Sequence, residues 1–518
     1  MPTKNLRIIS RLDIKGGNVI KGIQFECLRV MGLPLELANN YYLGGADEII
    51  YIDTVANLYG RSKLVEIVKQ TSAKIHIPLI VAGGVRNLKD IEDILKAGAD
   101  KVAINTAATK NPNLLKEASK VCGSQCIVSS IETKKINTKK WEAYVDNGRE
   151  KTNLDVIDWT KKVQDLGVGE ILLTSVDRDG TESGLDEELI EEVSKKTQVS
   201  LIVSGGIGKP EDYLNCIKKH KVDGVAAGTI FHYNKFTINH IKEFLLQNNE
   251  KINMRITKTK LKVNTDAKKK YDIDDYNKYS FNQMRNEKLK AKNIRISKAL
   301  DKNEKDFEVG VINYGINNLQ SVKKAFERIS VRSKWIDAPG EVFKSKALVL
   351  PGIGTFEYGM KGLKKRKLID AIKHKVSEGT PLLGICLGMQ LLFTESEEYG
   401  LFKGLNLIPG RVVKFKDSDS NLKIPHMGWN QINPKNKSWK DTIIKNTDTK
   451  KNYFYFVHSF FSKPDKEKHI LATSTYGKNE FCSVVQYKNI LGCQFHPEKS
   501  GETGLDMLKE FSINLKKK

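Results

Sequence analysis

An internal repeat in the first half of this 518-residue chain constrains the fold more than any other feature. IPLIVAGGVRNLKDIEDILKAGADKVAINT begins at position 77, and VSLIVSGGIGKPEDYLNCIKKHKVDGVAAGT begins at position 199. Gly83 matches Gly205 at an offset of 122 residues, and Glu48 matches Glu170 at the same offset. Two segments in one register indicate a duplicated unit, so the sequence predicts two similar halves.

Each half alternates short β-rich runs with helical patterns. EIIYID, DKVAIN and GEILLTSVD have the pattern of buried strands, whereas NLKDIEDILKAGA has the pattern of an amphipathic helix. Strands that alternate with helices are typical of a parallel sheet. About eight such units in some 250 residues predict a (β/α)₈ TIM barrel over residues 1–245, built from two half-barrels.

The repeat also predicts where phosphate groups would bind. Each half carries a Gly-Gly pair after an apolar strand and before a helix, and INTAA or AGTIFH follows the next strand. Glycine lets the backbone approach a phosphate closely, and a helix N-terminus offers free N–H groups. Two copies predict two phosphate sites on opposite sides of the barrel mouth, although a single Gly-Gly pair is more often an ordinary turn.

Two acidic residues stand at predicted strand ends. Asp13 lies in SRLDIKGG at the end of the first strand, and Glu132 lies in VSSIETKK at the end of the fifth. A carboxylate there projects into the barrel mouth, where acid–base chemistry takes place. Either residue taken alone could equally be a surface acid.

These motifs, with LDIKGGNVIKG, GADKVAINTAA, GSQCIV and GEILLTSVDRDGT, resemble the cyclase subunit of the imidazole glycerol phosphate synthase family across residues 1–245. The resemblance implies that Asp13 and Glu132 are the catalytic carboxylates. They would convert ammonia and a ribulosyl-linked aminoimidazole carboxamide nucleotide with two phosphates into imidazole glycerol phosphate and the aminoimidazole ribotide. It implies substrate phosphate binding at Lys21, Gly84, Asn105, Thr106, Asp179, Gly180, Gly205, Gly206, Gly228 and Thr229. It also implies an ammonia entrance in the barrel floor, formed by Arg7, Glu48, Lys101 and Glu170.

The sequence departs from that family at two positions. Glu132 replaces an aspartate, and Arg11 stands where the family usually has a small residue. The extra methylene of Glu132 moves a carboxylate by roughly 1 Å, which can cost on the order of 100-fold in rate. These departures leave a second hypothesis open, a paralogue that supplies ammonia to a separate sugar amidotransferase in surface-polysaccharide biosynthesis.

A second α/β pattern begins at position 308. In PLLGICLGMQLLF, Cys386 stands between an apolar strand and a helix, with a glycine two residues to either side. Glycines there permit a sharp nucleophile elbow, and the positive end of the helix dipole favours a thiolate. LGCQFHPEKSG supplies His496 and Glu498 as the base and the group that orients it. PGIG, at positions 351–354, offers backbone N–H groups for an oxyanion hole. A buried cysteine with an unrelated histidine is the alternative.

YGINNLQSV, LPGIGTF, IPHMGWN and YFVHSF, with the two motifs around the triad, resemble the class I glutamine amidotransferase family over residues 308–518. The resemblance implies that Cys386 attacks the carboxamide of L-glutamine, His496 shuttles the proton and Glu498 positions His496. Glutamine-binding and oxyanion positions fall on Gly352, Ile353, Gln390 and Glu398. IPHMGWN matches a loop that faces the barrel, which implies docking of the two domains within one chain.

Residues 246–307 separate the two patterns and are predicted to form a basic, partly helical linker. The formal net charge of +24 raises the question of nucleic acid. However, no recognition motif supports a nucleic-acid binder or a non-catalytic scaffold, and a lysine-rich surface explains the charge.

The chain has no apolar run of membrane-spanning length and no signal peptide, and its seven cysteines form no CxxC pair. We therefore expect a cytoplasmic enzyme that uses L-glutamine and a phosphorylated nucleotide-type molecule, without a metal, an organic cofactor or a membrane.

Overall fold

The computed structural model describes residues 6–55, 62–248, 309–315, 318–416, 422–435 and 438–513. The predicted linker at 246–307 lies outside the described residues except for its first three positions, so the proposed domain boundaries stay predictions.

The first half contains the strands β1 (Arg7–Lys15), β2 (Asn18–Ile23), β3 (Glu26–Gly32), β4 (Glu48–Asp53), β5 (Leu79–Ala82), β6 (Lys101–Ile104), β7 (Ile127–Asn137), β8 (Lys140–Val145), β9 (Glu150–Asp155), β10 (Glu170–Ser175), β11 (Ser200–Ser204) and β12 (Gly224–Ala227). Its α-helices are α1 (Pro34–Leu43), α2 (Ser62–Ser72), α3 (Leu88–Lys96), α4 (Thr106–Lys110), α5 (Asn113–Cys122), α6 (Val156–Asp165), α7 (Glu187–Ser194), α8 (Pro210–Lys219), α9 (Thr229–His232) and α10 (Ile238–Gln247), and a short 3₁₀ helix spans Ser124–Cys126.

Eight parallel strands of the first half close into a barrel, which confirms the predicted fold class. Their order around the barrel is β1, β4, β5, β6, β7, β10, β11 and β12. The β12 strand pairs with β1 in parallel and closes the ring. The helices of this half pack outside, and their apolar faces join the outward side chains of the strands in one large core.

Alternation along each strand sends every second side chain into the barrel. A separate, fully interior cluster consists of Ile9, Ile50, Ile52, Ile80, Ala82, Ala103, Val128, Leu172, Ile202 and Ala226. On β1 the same alternation places Arg7 below this cluster, and Arg11 and Asp13 above Ile9. The barrel interior therefore has a charged floor, an apolar middle and a charged mouth.

Two antiparallel extensions rise above the mouth, and the sequence did not predict them. The β2 and β3 strands continue from β1, and β8 and β9 continue from β7. Asp13 and Glu132 consequently lie within long strands, because these strands keep pairing beyond the barrel. Asp13 pairs with Ile52, Glu132 pairs with Thr174, and the two partners stand 122 residues apart. The two acids thus occupy equivalent positions in the two halves.

The second half is an α/β domain built on an eight-stranded sheet. Its strands are β13 (Val309–Ile312), β14 (Ser333–Ile336), β15 (Ala347–Leu350), β16 (Leu382–Ile385), β17 (Phe393–Ser396), β18 (Phe402–Lys403), β19 (Ile408–Lys414), β20 (His426–Asn430), β21 (Asn433–Pro434), β22 (Phe454–His458), β23 (Phe460–Pro464), β24 (Ile470–Tyr476), β25 (Asn479–Tyr487) and β26 (Ile490–Cys493). Its α-helices are α11 (Leu319–Arg328), α12 (Pro339–Val342), α13 (Phe356–Lys365), α14 (Leu368–Ser377), α15 (Leu387–Leu391) and α16 (Gly501–Ile513), with 3₁₀ helices at Glu467–His469 and Pro497–Lys499. The sheet order is β14, β13, β15, β16, β26, β25, β24 and β21, with β16 and β26 side by side at its centre.

The second domain docks on the barrel floor. Trp429 Nε1 donates to the carbonyl of Asp47 at 3.3 Å, and Lys499 Nζ lies 2.8 Å from Asp100 Oδ2. Lys423 Nζ lies 2.7 Å from Asp223 Oδ2. The three aspartates immediately precede β4, β6 or β12, so the interface covers the N-terminal ends of the barrel strands. Five apolar residues of the second domain join the barrel core at this interface: Ile353, Met427, Trp429, Tyr455 and Val457.

Candidate active sites and the passage between them

Cys386 occupies a strained elbow between β16 and α15, as its sequence predicts. Its backbone has φ of 50° and ψ of −108°, a region that costs a residue with a side chain some conformational strain. A Cβ on Gly388 would overlap the carbonyl of Leu350, and one on Gly384 would lie 2.8 Å from Met389 N. The flanking glycines are therefore required by close backbone approach, which holds the thiol at the N-terminus of the helix.

His496 and Glu498 come to the same place from the loop after β26, the neighbouring strand. His496 Nδ1 lies 2.8 Å from Glu498 Oε1, and Asn318 Nδ2 donates to that oxygen at 3.0 Å. Burial alone would lower the pKa of His496, but Cys386 and Glu498 raise it well above its ordinary value. Burial would raise the pKa of Glu498, and His496 lowers it. Cys386, His496 and Glu498 are thus buried together and influence one another electrostatically, an arrangement that suits the predicted nucleophile, base and orienting carboxylate.

A pocket beside Cys386 holds three of the four residues that the sequence assigned to glutamine and the oxyanion, namely Ile353, Gln390 and Glu398. It is lined by Gln125, Ile353, Gly354, Cys386, Leu387, Gln390, Glu398, Val457, His458, Ser459 and Phe460. Gln390 Nε2 donates to the carbonyl of Phe460 at 2.9 Å. Glu398 Oε2 accepts from the Phe356 N–H at 2.6 Å, and burial raises the pKa of Glu398 to about 7. Gln125 belongs to the barrel, so the pocket opens at the interface. Gly352 immediately precedes Ile353 and does not line the pocket itself. A Cβ on Gly352 would overlap the hydroxyl of Tyr314.

The four predicted entrance residues form a closed ring of ion pairs in the barrel floor. Arg7 lies 2.8 Å from Glu48 and 2.6 Å from Glu170, while Lys101 lies 2.7 Å from each of the same carboxylates. All four side chains are at most 1% exposed. Burial alone would raise the pKa of Glu170, but the two cations lower it to about 2. Buried charges are tolerable in this form because each cation meets two anions and each anion meets two cations.

A small cavity connects this ring to the triad. It is lined by Asp100, Lys101, Gln125, Cys126, Ile353, Tyr455, Val457 and His496. Tyr455 is 1% exposed, and its hydroxyl has no hydrogen-bond partner among the described residues. His496 and Lys101 thus face one space that lies between the two domains, directly below the barrel.

The barrel mouth brings Asp13 and Glu132 together with two cations. Arg11 Nε donates to Asp13 Oδ1 at 2.9 Å, and Lys21 Nζ lies 3.6 Å from Asp13 Oδ2. Lys21 also forms a short ion pair with Asp179. Glu132 Oε2 accepts from the Gly148 N–H at 2.8 Å. Lys21 and Asp179, which the sequence assigned to phosphate binding, therefore bond to each other beside Asp13.

The remaining phosphate-binding candidates lie on two similar sides of the mouth. Gly83 and Gly84 follow β5, and Gly205 and Gly206 follow β11, all four with positive φ. Asn105 and Thr106 stand where α4 begins after β6, and Gly228 and Thr229 stand where α9 begins after β12. A Cβ on Gly180 would overlap the carbonyl of Gly22, so this loop packs against the end of β2, next to the β2–β3 turn. Their role in phosphate binding stays a prediction.

Several residues around the two sites were not found from the sequence. Asn318 and Gln494 reach the triad, since Gln494 Nε2 donates to Cys386 Sγ at 3.5 Å. Tyr455 and the Lys499–Asp100 pair join the triad loop to the barrel floor. Gln494 and Lys499 stand in the quoted LGCQFHPEKSG motif, which is the one signal that could have indicated them.

Across the described ranges, no cluster of three or more His, Cys, Asp or Glu side chains could hold a metal ion. No helix within those ranges is long and apolar enough to cross a membrane.

Comparison with known proteins finds a different family in each half of the chain. Residues 7–237 match the family model of histidine biosynthesis proteins, and residues 310–515 match that of class I glutamine amidotransferases. The chain is 54% identical over 209 residues to the imidazole glycerol phosphate synthase subunit HisF of Legionella pneumophila, an alignment that covers 40% of this chain and 99% of that protein. It is 45% identical over 248 residues to the HisF subunit of Bacillus cereus strain G9842, covering 48% of this chain and 98% of that protein.

Proposed function

This chain belongs to the imidazole glycerol phosphate synthase family, with a HisF-type barrel fused to a class I glutamine amidotransferase domain, and we propose that its two sites act in sequence. The amidotransferase site hydrolyses glutamine to glutamate and ammonia. The barrel site uses that ammonia to form imidazole glycerol phosphate and aminoimidazole carboxamide ribotide in histidine biosynthesis. Glutamine and a phosphorylated nucleotide are the small-molecule partners.

In the first step Cys386 Sγ attacks the glutamine carboxamide and forms a thioester. His496 delivers a proton to the departing nitrogen, and Glu498 holds the ring by its bond to Nδ1. Water then hydrolyses the thioester to glutamate and regenerates the thiol. Backbone N–H groups of the 352–354 turn and of the helix start are the candidates for stabilising the oxyanion.

Ammonia then travels toward the barrel through the cavity below the ion-pair ring. Lys101 borders that cavity and also bonds to Glu48 and Glu170, so its movement would open the ring. Above the ring lies the apolar interior of the barrel, which suits neutral ammonia and disfavours ammonium. Asp13 and Glu132 stand at the far end as the two carboxyls that border the place where protons move during ring formation.

The observation that carries this proposal is the cavity that His496 and Lys101 share. The test is product formation from the bisphosphate nucleotide, with glutamine or ammonium as the nitrogen source. We expect imidazole glycerol phosphate from both, and from ammonium alone after Cys386→Ala. Intact glutamine hydrolysis with no product from either nitrogen source would refute the barrel half of the proposal.

One observation favours a second candidate function. Arg11 fills part of the mouth and bonds to Asp13, which would change the acceptor that the barrel accommodates. The chain would then supply ammonia to a separate sugar amidotransferase in surface-polysaccharide biosynthesis. The same product assay separates the two functions, since only the synthase forms imidazole glycerol phosphate.

We also propose that the protein works in the cytoplasm. All seven cysteines are free thiols, and five of them are buried in addition to Cys386. Free thiols of this kind fit a reducing compartment.

A further inference from the structure

Arg11 lies at the boundary between the apolar interior of the barrel and its mouth. It precedes Asp13 by two residues on β1, so strand alternation sends both side chains inward. Its side chain is 2% exposed. A buried arginine is costly unless its donors are satisfied, so its partners indicate what it does.

The guanidinium of Arg11 extends over the barrel interior past β12 and joins β1 to β11 and to the loop after β10. Nε donates to Asp13 Oδ1 at 2.9 Å. Nη1 lies 3.3 Å from Ser204 Oγ on β11 and 3.4 Å from Asp179 Oδ2 after β10. The ring of Phe25, from the β2–β3 turn, covers the guanidinium with its centroid 5.3 Å from the central carbon. The group is therefore fixed from several directions.

The two mouth carboxyls consequently differ in their surroundings. Asp13 faces Arg11 with one oxygen and Lys21 with the other. Burial alone would raise the pKa of Asp13, but Arg11 and Lys21 lower it, with a smaller contribution from His232.

The carboxyl group of Glu132 makes no ion pair within the described residues, and its one hydrogen bond there comes from the Gly148 N–H. Burial raises the pKa of Glu132 to about 7; Arg11 and the Gly148 N–H oppose this rise, while Asp13 and Asp146 add to it.

We propose that Arg11 is a positioning residue that divides the work of the two mouth carboxyls, holding Asp13 as a fixed carboxylate and leaving Glu132 as the group that exchanges protons with the substrate. The carboxylate of Glu132 accepts a proton from the substrate, and its carboxyl form returns one to the departing group. Glu132 thus ends each turnover in the state in which it began. A carboxyl that titrates near neutral pH suits both steps.

This inference rests on the proposed synthase function for its kinetic readout, so two measurements test it. The first is the pH profile of ammonium-dependent product formation in the parent protein, Arg11→Gln and Arg11→Lys. Arg11 lowers the pKa of Glu132, so its removal in Arg11→Gln should raise that pKa. The limb of the pH–rate profile near neutral pH should then move to higher pH by about one unit. Arg11→Lys keeps the positive charge, so it should shift this limb of the pH–rate profile less than Arg11→Gln does.

Arg29→Gln is the matched control, because Arg29 is an exposed arginine on β3 of the same extension. It should leave the profile unchanged, and glutamine hydrolysis should confirm that every variant is folded. An unmoved limb in Arg11→Gln, with activity merely reduced, would show that Arg11 has only a structural role and would overturn the inference.

The second measurement needs no substrate. The carboxyl band of Glu132 in the infrared spectrum, identified by its loss in Glu132→Gln, is titrated in the parent protein and in Arg11→Gln. We expect the midpoint near pH 7 in the parent and about one unit higher in the variant. A parent that forms no product but shows this shift would refute the synthase function and keep the role of Arg11, whereas an unshifted band would refute the role of Arg11 in either case.

Discussion

Replacing Lys101 by methionine should destabilise the barrel by about 3–5 kcal/mol, the usual cost of breaking a buried ion pair by removing one partner. Lys101 Nζ lies 2.7 Å from both Glu48 and Glu170, and none of the three side chains is more than 1% exposed. The ring is neutral as it stands, and Lys101→Met leaves one uncompensated negative charge in it. For a domain of this size such a loss lowers the melting temperature by about 6–20 °C, which calorimetry can measure.

The same variant should show a characteristic pH dependence. Burial already raises the pKa of Glu48 in the folded protein, and Lys101 is the largest influence against that rise. Without Lys101 the pKa of Glu48 in the folded protein rises further. The loss of stability is therefore complete at pH values above that pKa, where Glu48 is charged. It diminishes as the pH falls through that pKa and Glu48 is protonated. The deficit relative to the parent should therefore be larger at about pH 8 than at about pH 5.5, by at most about 1.4 kcal/mol per pH unit.

A double variant supplies the control for this reasoning. Glu48→Gln combined with Lys101→Met removes the unpaired charge and should recover most of the lost stability. A fall in melting temperature below about 2 °C for Lys101→Met, or no recovery in the double variant, would contradict the account of the ring as a mutually dependent set of charges.

Three further variants test the two sites. Cys386→Ala should abolish glutamate release from glutamine while ammonium-dependent product formation continues. Glu498→Gln should lower the kcat of glutamine hydrolysis by about 10²- to 10⁴-fold with little change in KM, because the orienting carboxylate acts through His496; an unchanged kcat would remove Glu498 from the triad. Glu132→Asp should lower turnover in the barrel by up to about 100-fold, since the shorter side chain loses the bond that the Gly148 N–H makes at 2.8 Å. Faster turnover in that variant would show that the extra methylene misplaces the acid.

The placement of Cys386, His496 and Glu498 in one site was predictable because its signals are local, while their catalytic roles stay predictions. Cys386 stands in a strand–turn–helix whose glycines are required by close backbone approach, and His496 and Glu498 share one short motif. The half-barrel repeat likewise predicted the closed parallel sheet, since strand alternation and a common offset can be read directly from the chain.

Contacts between distant segments could not be predicted in this way. Asn318 bonds to Glu498 across 180 residues, and neither residue indicates the other in the sequence. The β2–β3 and β8–β9 extensions were missed because their strands mix charged and apolar residues and so lack the continuous apolar runs of the barrel strands. The sequence shows Arg11 as a departure from the family, but its bond to Asp13 and its contact with Ser204 on β11 appear only in the fold.

The central claim is that ammonia released at Cys386 reaches the barrel mouth without mixing with solvent. The most direct test supplies glutamine labelled with ¹⁵N in its amide, together with an excess of unlabelled ammonium, and measures the isotope in imidazole glycerol phosphate by mass spectrometry. A closed passage predicts product that carries ¹⁵N almost throughout, despite the excess of unlabelled ammonium. Product whose label matches the isotopic composition of the bulk ammonium would contradict the passage through the barrel floor.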